Sequence, residues 1–172
     1  MTIKVIIFDF DGTIADTYQA VVDITNNLSS EFGYKPLDEE TLVLLKNLSS
    51  KDIVKQSEIS FFKLPFLVKR IQIELGKKIE YLEPIPGMSE VLQELKEQNY
   101  VLGIITSNAK ENVMAFLQKQ NLVYLFDFIY SRTSLFGKHR IINKAIKRYK
   151  FAKDEVIYVG DETRDIRSAK KK

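Results

Sequence analysis

The segment that most constrains the fold is an apolar run, Val5–Phe8, that continues into Asp9-Phe10-Asp11-Gly12-Thr13. An unbroken run of β-branched and aromatic residues is typical of a buried strand. Asp9 and Asp11 lie two residues apart, so an extended backbone directs both side chains to the same side. Two neighbouring carboxylates at the end of a core strand are costly unless a cation or a proton separates their charges. The segment therefore predicts a buried strand with a chemically reactive end.

Gly12 lets the chain turn sharply after this strand, and such a turn leaves backbone amides that can face an anion. Combined with two carboxylates, this arrangement suits phosphoryl transfer through an aspartyl-phosphate. One carboxylate attacks phosphorus, the second handles the proton of the leaving oxygen, and Mg2+ neutralises the negative charge. The alternative is a polar turn without chemistry, because Asp and Gly are common turn residues.

The composition indicates a globular protein without an obvious macromolecular partner. The 172 residues are 45% apolar and 28% charged, which allows one domain plus a modest insertion. The net charge of +3 is small and the cations are spread along the chain, so we expect no nucleic-acid binding. No apolar stretch approaches the roughly 18 residues of a membrane span, and the N-terminus lacks a cleavable signal pattern. We therefore expect no membrane association and a cytoplasmic location.

Residues 17–83 carry helical patterns and no strand pattern. Thr17, together with the preceding Asp, is a candidate cap for a helix over residues 18–32, which Gly33 ends. Further helical patterns run from residue 38 to 54 and from residue 61 to 75. This stretch is therefore predicted to be an all-helical domain.

The sequence Glu83-Pro84-Ile85-Pro86-Gly87 marks the end of the helical stretch. Beyond it, helices are predicted at residues 88–98, 110–120 and 139–149, and residues 163–171 are predicted to start a last helix. These helices alternate with strands predicted at 100–107, 126–131 and 156–159. Such alternation predicts a parallel sheet flanked by helices, which the opening strand joins. We predict an α/β core of residues 1–16 and 84–172, with a helical cap, residues 17–83, inserted after the first strand. The cap would act as a lid over the carboxyl ends of the strands.

Polar residues also lie at the end of the strand predicted at 100–107, and a lysine directly precedes the helix predicted at 139–149. Ser107 and Asn108 stand before a helix and could bind phosphate oxygens through side chains and free backbone N–H groups. Helix capping is the alternative role of this pair. Lys138 could place a compact positive charge against phosphate and Asp9. Its alternative is an ordinary solvated surface lysine.

The last predicted strand, Val156–Val159, is followed by Gly-Asp, and a second Asp stands four residues further on. Mg2+ binds oxygen ligands and is usually held by one or two carboxylates plus water. Asp161 could bind such an ion directly, and Asp165 could hold a coordinated water or the lysine. The alternative is a helix cap followed by an acid in the first turn.

These four sites, each after an apolar run and in this order, resemble the four motifs of the haloacid dehalogenase (HAD) superfamily, and the resemblance covers the whole chain. It implies a Rossmann-like HAD core, with Asp9 as nucleophile and Asp11 as general acid/base. The phosphate-binding residues that the resemblance implies are Thr13, Ser107, Asn108 and Lys138. The Mg2+ ligands that it implies are Asp9, Asp11 through its backbone carbonyl, Asp161 and Asp165.

A second carboxylate at position 11 implies phosphate rather than haloacid substrates. A helical cap of this length after the first motif resembles the subfamily of phosphoglycolate phosphatases and β-phosphoglucomutases. We therefore expect an Mg2+-dependent phosphatase that hydrolyses a small organophosphate such as phosphoglycolate, as a monomer or homodimer. The alternatives are a phosphosugar mutase, which uses the same carboxylates, and a non-catalytic binding or regulatory module.

The sequence departs from the subfamily pattern in two places. Lys138 is followed by His139-Arg140 rather than by a Pro-containing segment, and its spacing to Asp161 is slightly short. The sequence also ends at Lys172, inside the last predicted helix, where relatives usually continue through one more strand and helix. We expect either a truncated form or a short natural form with an exposed sheet edge.

Overall fold

The computed structural model describes residues 2–38, 59–60, 62–133 and 138–161. By internal contacts the chain divides into two compact units. The core unit comprises Met1–Asp16 and Ile79–Lys172, and the inserted unit comprises Thr17–Lys78. Residues 79–83, which the sequence analysis assigned to the cap, group with the core unit in this division.

The core unit contains a four-stranded sheet. The strands are β1 (Val5–Phe8), β2 (Val101–Ile105), β3 (Phe128–Tyr130) and β4 (Val156–Val159). All neighbouring pairs are parallel, and the spatial order is β3-β2-β1-β4. β1 pairs on both edges and all four of its side chains are buried, which explains its unbroken apolar sequence. The predicted parallel α/β sheet is confirmed.

The described helices are α1 (Tyr18–Phe32), α2 (Leu64–Lys78), α3 (Met88–Glu97), α4 (Lys110–Lys119) and α5 (Lys138–Tyr149). Short 3-10 helices occur at Ile79–Tyr81, Val123–Leu125 and Lys153–Glu155. In the core unit, helices and strands alternate as the sequence predicted, and the helix predicted at 163–171 lies outside the described residues. None of the helices in the described ranges is long and apolar enough to cross a bilayer.

The strand order positions the site. The chain moves from β1 outward to β3 and then returns past β1 to form β4. In open α/β sheets such a reversal opens a crevice at the carboxyl ends of the strands, where ligands bind. Asp9 follows β1 directly and Asp161 follows β4 after one glycine. The two acidic strand ends therefore flank the reversal point.

Apolar packing anchors both the sheet and the loop after β1. Helix α5 packs on the sheet through a cluster of buried residues, Val5, Ile7, Ile105, Phe128, Ile142, Ala145, Ile146 and Val156. In the loop after β1, Phe10 is fully buried and meets Phe116 of α4 edge to face, with ring centroids 5.3 Å apart. Because Phe10 lies between the two aspartates, this packing fixes the backbone that carries them.

The inserted unit contains α1 and α2. Gly33 ends α1 with φ 77°, and its N–H donates to the Ser29 carbonyl, as expected of a left-handed helix end. Thr17 stands at the N-cap of α1, as predicted, but its side chain makes no capping hydrogen bond. Its backbone, at φ −99° and ψ −5°, lacks the extended conformation that a capping residue normally has. The helical patterns predicted between residues 39 and 54 lie outside the described residues, as does Phe61.

We expect Gly103→Ala to reduce the free energy of unfolding by about 1–3 kcal/mol, because overpacking forces side chains or backbone to shift. A Cβ at Gly103 would lie 2.2 Å from ring atoms of Phe128. Urea unfolding measures the change. Phe128→Leu in the Gly103→Ala background should recover part of the loss, and an unchanged stability of the single variant would contradict this packing.

Candidate active site

A buried ion pair lies at the end of β1. The Asp9 carboxylate, in a residue that is 3% exposed, accepts a hydrogen bond at Oδ2 from Nζ of Lys138, which is 1% exposed. Oδ1 accepts from the Phe10 N–H at 2.8 Å. The Asp9 N–H donates to the Val159 carbonyl at 2.8 Å, so the β1–β4 pairing extends to this point. Pairing and hydrogen bonding make the burial of both charges tolerable.

Lys138 is the first residue of α5, and its burial excludes the solvated surface lysine that the sequence left open. Its Nζ lies 5.7 Å from the centroid of the Tyr158 ring. The hydroxyl of Tyr158 donates to the Ile105 carbonyl at 2.9 Å, which holds the ring in place. An ammonium over an aromatic face is electrostatically favourable, more so when desolvated. The sequence analysis did not identify Tyr158, whose only signal is a polar aromatic residue in an apolar strand.

The Asp11 carboxylate contacts the end of β2. Nδ2 of Asn108 donates to Oδ1 of Asp11 at 2.9 Å and lies 3.2 Å from Oδ2. The alternative role of Ser107 and Asn108 as helix caps is not observed, because α4 begins at Lys110, as predicted, with Ala109 at its N-cap. The chain bends at Ser107 and Asn108 after β2, and Ala109 has extended backbone angles, φ −68° and ψ 142°. The Asn108 side chain thus contacts the loop after β1.

Two hydroxyl residues follow β2, and they differ in exposure. Thr106 is fully buried, and its Oγ1 accepts from the Asn108 N–H at 3.0 Å. Ser107 is half-buried and stands between Thr106 and the residue that contacts Asp11. Ser107 is therefore the more accessible hydroxyl at this strand end.

Asp161 lies against the loop that follows β1. Thr13 donates through Oγ1 to Oδ1 of Asp161 at 3.2 Å. Gly12 has φ 70°, and a Cβ at this position would lie 2.4 Å from Oδ2 of Asp161. Only glycine combines this left-handed backbone with so close an approach of the carboxylate. The structure thus brings the first and last predicted motifs together.

The acidic strand ends form a candidate metal site. Among the described residues, no group of three or more His, Asp or Glu side chains is arranged to hold a metal ion. Asp165, the fourth predicted ligand, lies outside the described residues. Asp161 is nevertheless exposed, and its carboxylate lies close to Gly12, so that its oxygens are accessible to a metal ion. Mg2+ needs only one or two carboxylates when water completes its shell, so the donor set fits.

Comparisons with known proteins identify the family of the chain. Residues 6–172 match the haloacid dehalogenase-like hydrolase family. The chain is 38% identical over 167 residues to a phosphoglycolate phosphatase of Synechococcus elongatus, covering 97% of this chain and 79% of that protein. It is 24% identical over 171 residues to the pyrophosphatase PpaX of Bacillus mycoides, and the match covers 96% of this chain and 78% of that protein. The crystal structure of CbbY from Rhodobacter sphaeroides in complex with phosphate superposes on this chain with a TM-score of 0.74 at 19% sequence identity. The superposition covers 99% of this chain and 83% of the CbbY chain.

A parallel sheet of order β3-β2-β1-β4 with acidic residues after β1 and β4 is a Rossmann-like α/β core. The chain belongs to the haloacid dehalogenase-like hydrolase family, in the branch that is similar to phosphoglycolate phosphatases. The predictions of the superfamily, of the fold class and of the enzyme class, an HAD-type phosphoric monoester hydrolase, are confirmed.

We expect Gly12→Ala to destabilise the protein by about 1–3 kcal/mol, through the left-handed backbone and the contact with Asp161. Gly87→Ala is the matched control, because Gly87 has φ 80° and a Cβ added there would have no atom within 4 Å. The excess cost of Gly12→Ala over Gly87→Ala, measured by urea unfolding, isolates the Asp161 contact. Equal losses of unfolding free energy in the two variants would mean that the Asp161 side chain moves away from the added Cβ without a measurable penalty.

We expect Lys138→Met to reduce the free energy of unfolding by about 3–5 kcal/mol, because it leaves the Asp9 charge buried without its cation. Urea unfolding of a double-mutant cycle with Asp9→Asn gives the coupling between the two side chains. The double variant should lose less than the sum of the single losses. Strict additivity would show that the two charges do not stabilise each other.

Proposed function

We propose that this protein is an Mg2+-dependent phosphatase that hydrolyses a small phosphate monoester through an aspartyl-phosphate on Asp9. The buried Asp9–Lys138 pair, with a second carboxylate on Asp11 two residues away, carries this proposal. The 38% identity to a phosphoglycolate phosphatase favours phosphoglycolate or a similarly small ester.

In the first step, a carboxylate oxygen of Asp9 forms a bond to phosphorus while the ester P–O bond breaks. The ammonium of Lys138 offsets the negative charge that carboxylate and phosphoryl oxygens bring together. Asp11, protonated, donates its proton to the leaving oxygen, so the alcohol departs neutral. The nucleophile and the acid/base must be two separate carboxylates. Asp9 is hydrogen-bonded to Lys138, and Asp11 is hydrogen-bonded to Asn108.

In the second step, Asp11 takes a proton from water, whose oxygen attacks phosphorus. Inorganic phosphate leaves and the Asp9 carboxylate is restored. Proton transfer contributes about 10²–10⁴ in rate, far less than phosphate-ester hydrolysis requires. Most of the acceleration must therefore come from positioning and charge stabilisation around the phosphoryl group.

Ser107 and Lys138 are the proposed phosphate ligands with support in the geometry, since one is an accessible hydroxyl and the other a cation on Asp9. The proposed Mg2+ ligands are Asp9, Asp11 through its backbone carbonyl, Asp161 and Asp165. Bound Mg2+ would supply positive charge to the transferring phosphoryl group. Phosphate contacts of Thr13 and Asn108, the cytoplasmic location and a monomeric or homodimeric state stay predictions from the sequence.

Asp9→Asn should lower phosphatase turnover by at least about a thousandfold, because the amide cannot form the aspartyl-phosphate. The assay is phosphate release from a panel of phosphorylated metabolites, with Mg2+ and with EDTA. Asp23→Asn, an exposed carboxylate of α1, is the matched control and should keep full activity. Full activity of Asp9→Asn would remove Asp9 from the nucleophile role.

The same panel distinguishes the alternative functions. Conversion of a sugar phosphate to its isomer without phosphate release would identify a mutase. Binding without turnover of any ester would identify a non-catalytic module. Metal-dependent release of phosphate supports the proposed function.

A further inference from the structure

The backbone of Asn108 is held at two points. Its N–H donates to Oγ1 of Thr106 at 3.0 Å, and its carbonyl accepts from the Arg132 N–H at 2.9 Å. The Arg132 guanidinium in turn donates to both carboxylate oxygens of Glu111 on α4, at 2.9 and 2.8 Å. The pKa of Glu111 lies below its usual value, mainly through its own backbone N–H and then through Arg132. Asn108 is thus fixed between the loop after β3 and helix α4.

Two hydrogen-bond donors fix the orientation of the Asn108 side-chain amide. Oδ1 accepts from the Ala109 N–H at 2.7 Å and from Nδ2 of Asn112 at 3.0 Å. Because a backbone N–H cannot accept, the oxygen must face Ala109, and Nδ2 must face the Asp11 carboxylate. Asn108 is 2% exposed and Asn112 is 8% exposed. The donated hydrogen bonds therefore run from the buried Asn112 through the buried Asn108 to the half-buried Asp11.

We infer that Asn108, oriented by Asn112, is a positioning residue for Asp11 rather than a ligand of the substrate phosphate. This rests on the proposed function, in which Asp11 is the general acid/base. The amide restrains the rotation of the carboxyl group through both of its oxygens. Its N–H can donate to the carboxylate and, more weakly, to the carbonyl oxygen of protonated Asp11. Because Nδ2 cannot accept a hydrogen bond, the proton of the Asp11 carboxyl group cannot be directed at Asn108 and stays available for the leaving oxygen. Misplacement of a catalytic group by about 1 Å can cost 10²-fold in rate.

This role makes the effect of Asn108 depend on the leaving group. An alkoxide needs a proton from Asp11 as the ester bond breaks, whereas 2,4-dinitrophenolate is stable enough to leave without one. A residue that acts through Asp11 therefore matters for alkyl phosphates and little for the dinitrophenyl ester. A phosphate ligand or a purely structural residue affects both esters alike, because both carry the same phosphoryl group.

The test measures kcat/KM, which reports phosphoryl transfer to Asp9, for phosphoglycolate and 2,4-dinitrophenyl phosphate with Mg2+. Asn108→Ala should lower the value about 10- to 100-fold for phosphoglycolate and less than about threefold for the dinitrophenyl ester. Asn112→Ala should show the same selectivity with a smaller loss, since it removes only one restraint on Asn108. In an Asp11→Ala background, Asn108→Ala should cause no further loss with phosphoglycolate.

The matched control is Asn143→Ala, because the amide of Asn143 donates to the His139 carbonyl of α5 at 3.1 Å and makes no bond to Asp11. It should change kcat/KM less than about twofold for both esters. Inhibition by inorganic phosphate should be unchanged in Asn108→Ala. Equal losses on the two esters, or weaker phosphate inhibition, would overturn the positioning role while leaving the phosphatase intact. No turnover by the unaltered protein on either ester would overturn the proposed function and this role with it.

Discussion

The ion pair between Asp9 and Lys138 is the interaction on which the site depends. Both groups are almost wholly buried, and the residues are 129 positions apart in the chain. A buried carboxylate without its cation would be strongly unfavourable, so the pair fixes the start of α5 against the end of β1. The Tyr158 ring adds a second contact to the same ammonium. The central strand, its neighbour β4 and helix α5 therefore meet at one point.

The loop after β1 connects this pair to the rest of the sheet. Phe10 packs into the apolar interior, Asp11 is held from the β2 side by Asn108, and Gly12 admits Asp161 from the β4 side. These contacts are possible together only because β1 lies between β2 and β4. A short loop with an ordinary turn composition thus becomes the junction of three strand ends.

Local patterns predicted much of the fold. The bounds of α1 and β4 agree with the sequence analysis, because apolar periodicity, the glycine at position 33 and an unbroken β-branched run are local signals. Thr17 occupies the predicted N-cap position of α1 without a side-chain hydrogen bond, because the propensity of a residue for this position does not fix its backbone conformation. The partner of Asn108 and the contribution of Tyr158 were not foreseen, since neither residue differs locally from an ordinary strand-end or strand residue.

The sequence by itself determined that a buried strand ends in two carboxylates, that polar groups follow the later strands and that the chain resembles HAD hydrolases. These features follow from residue types at short spacing. Only the tertiary structure decided that Asp9 pairs with a buried Lys138, that Asp11 receives the Asn108 amide from 97 residues away and that Asp161 rests on Gly12. The reason is physical: partners so distant in the chain are chosen by strand order and register, which no local pattern contains.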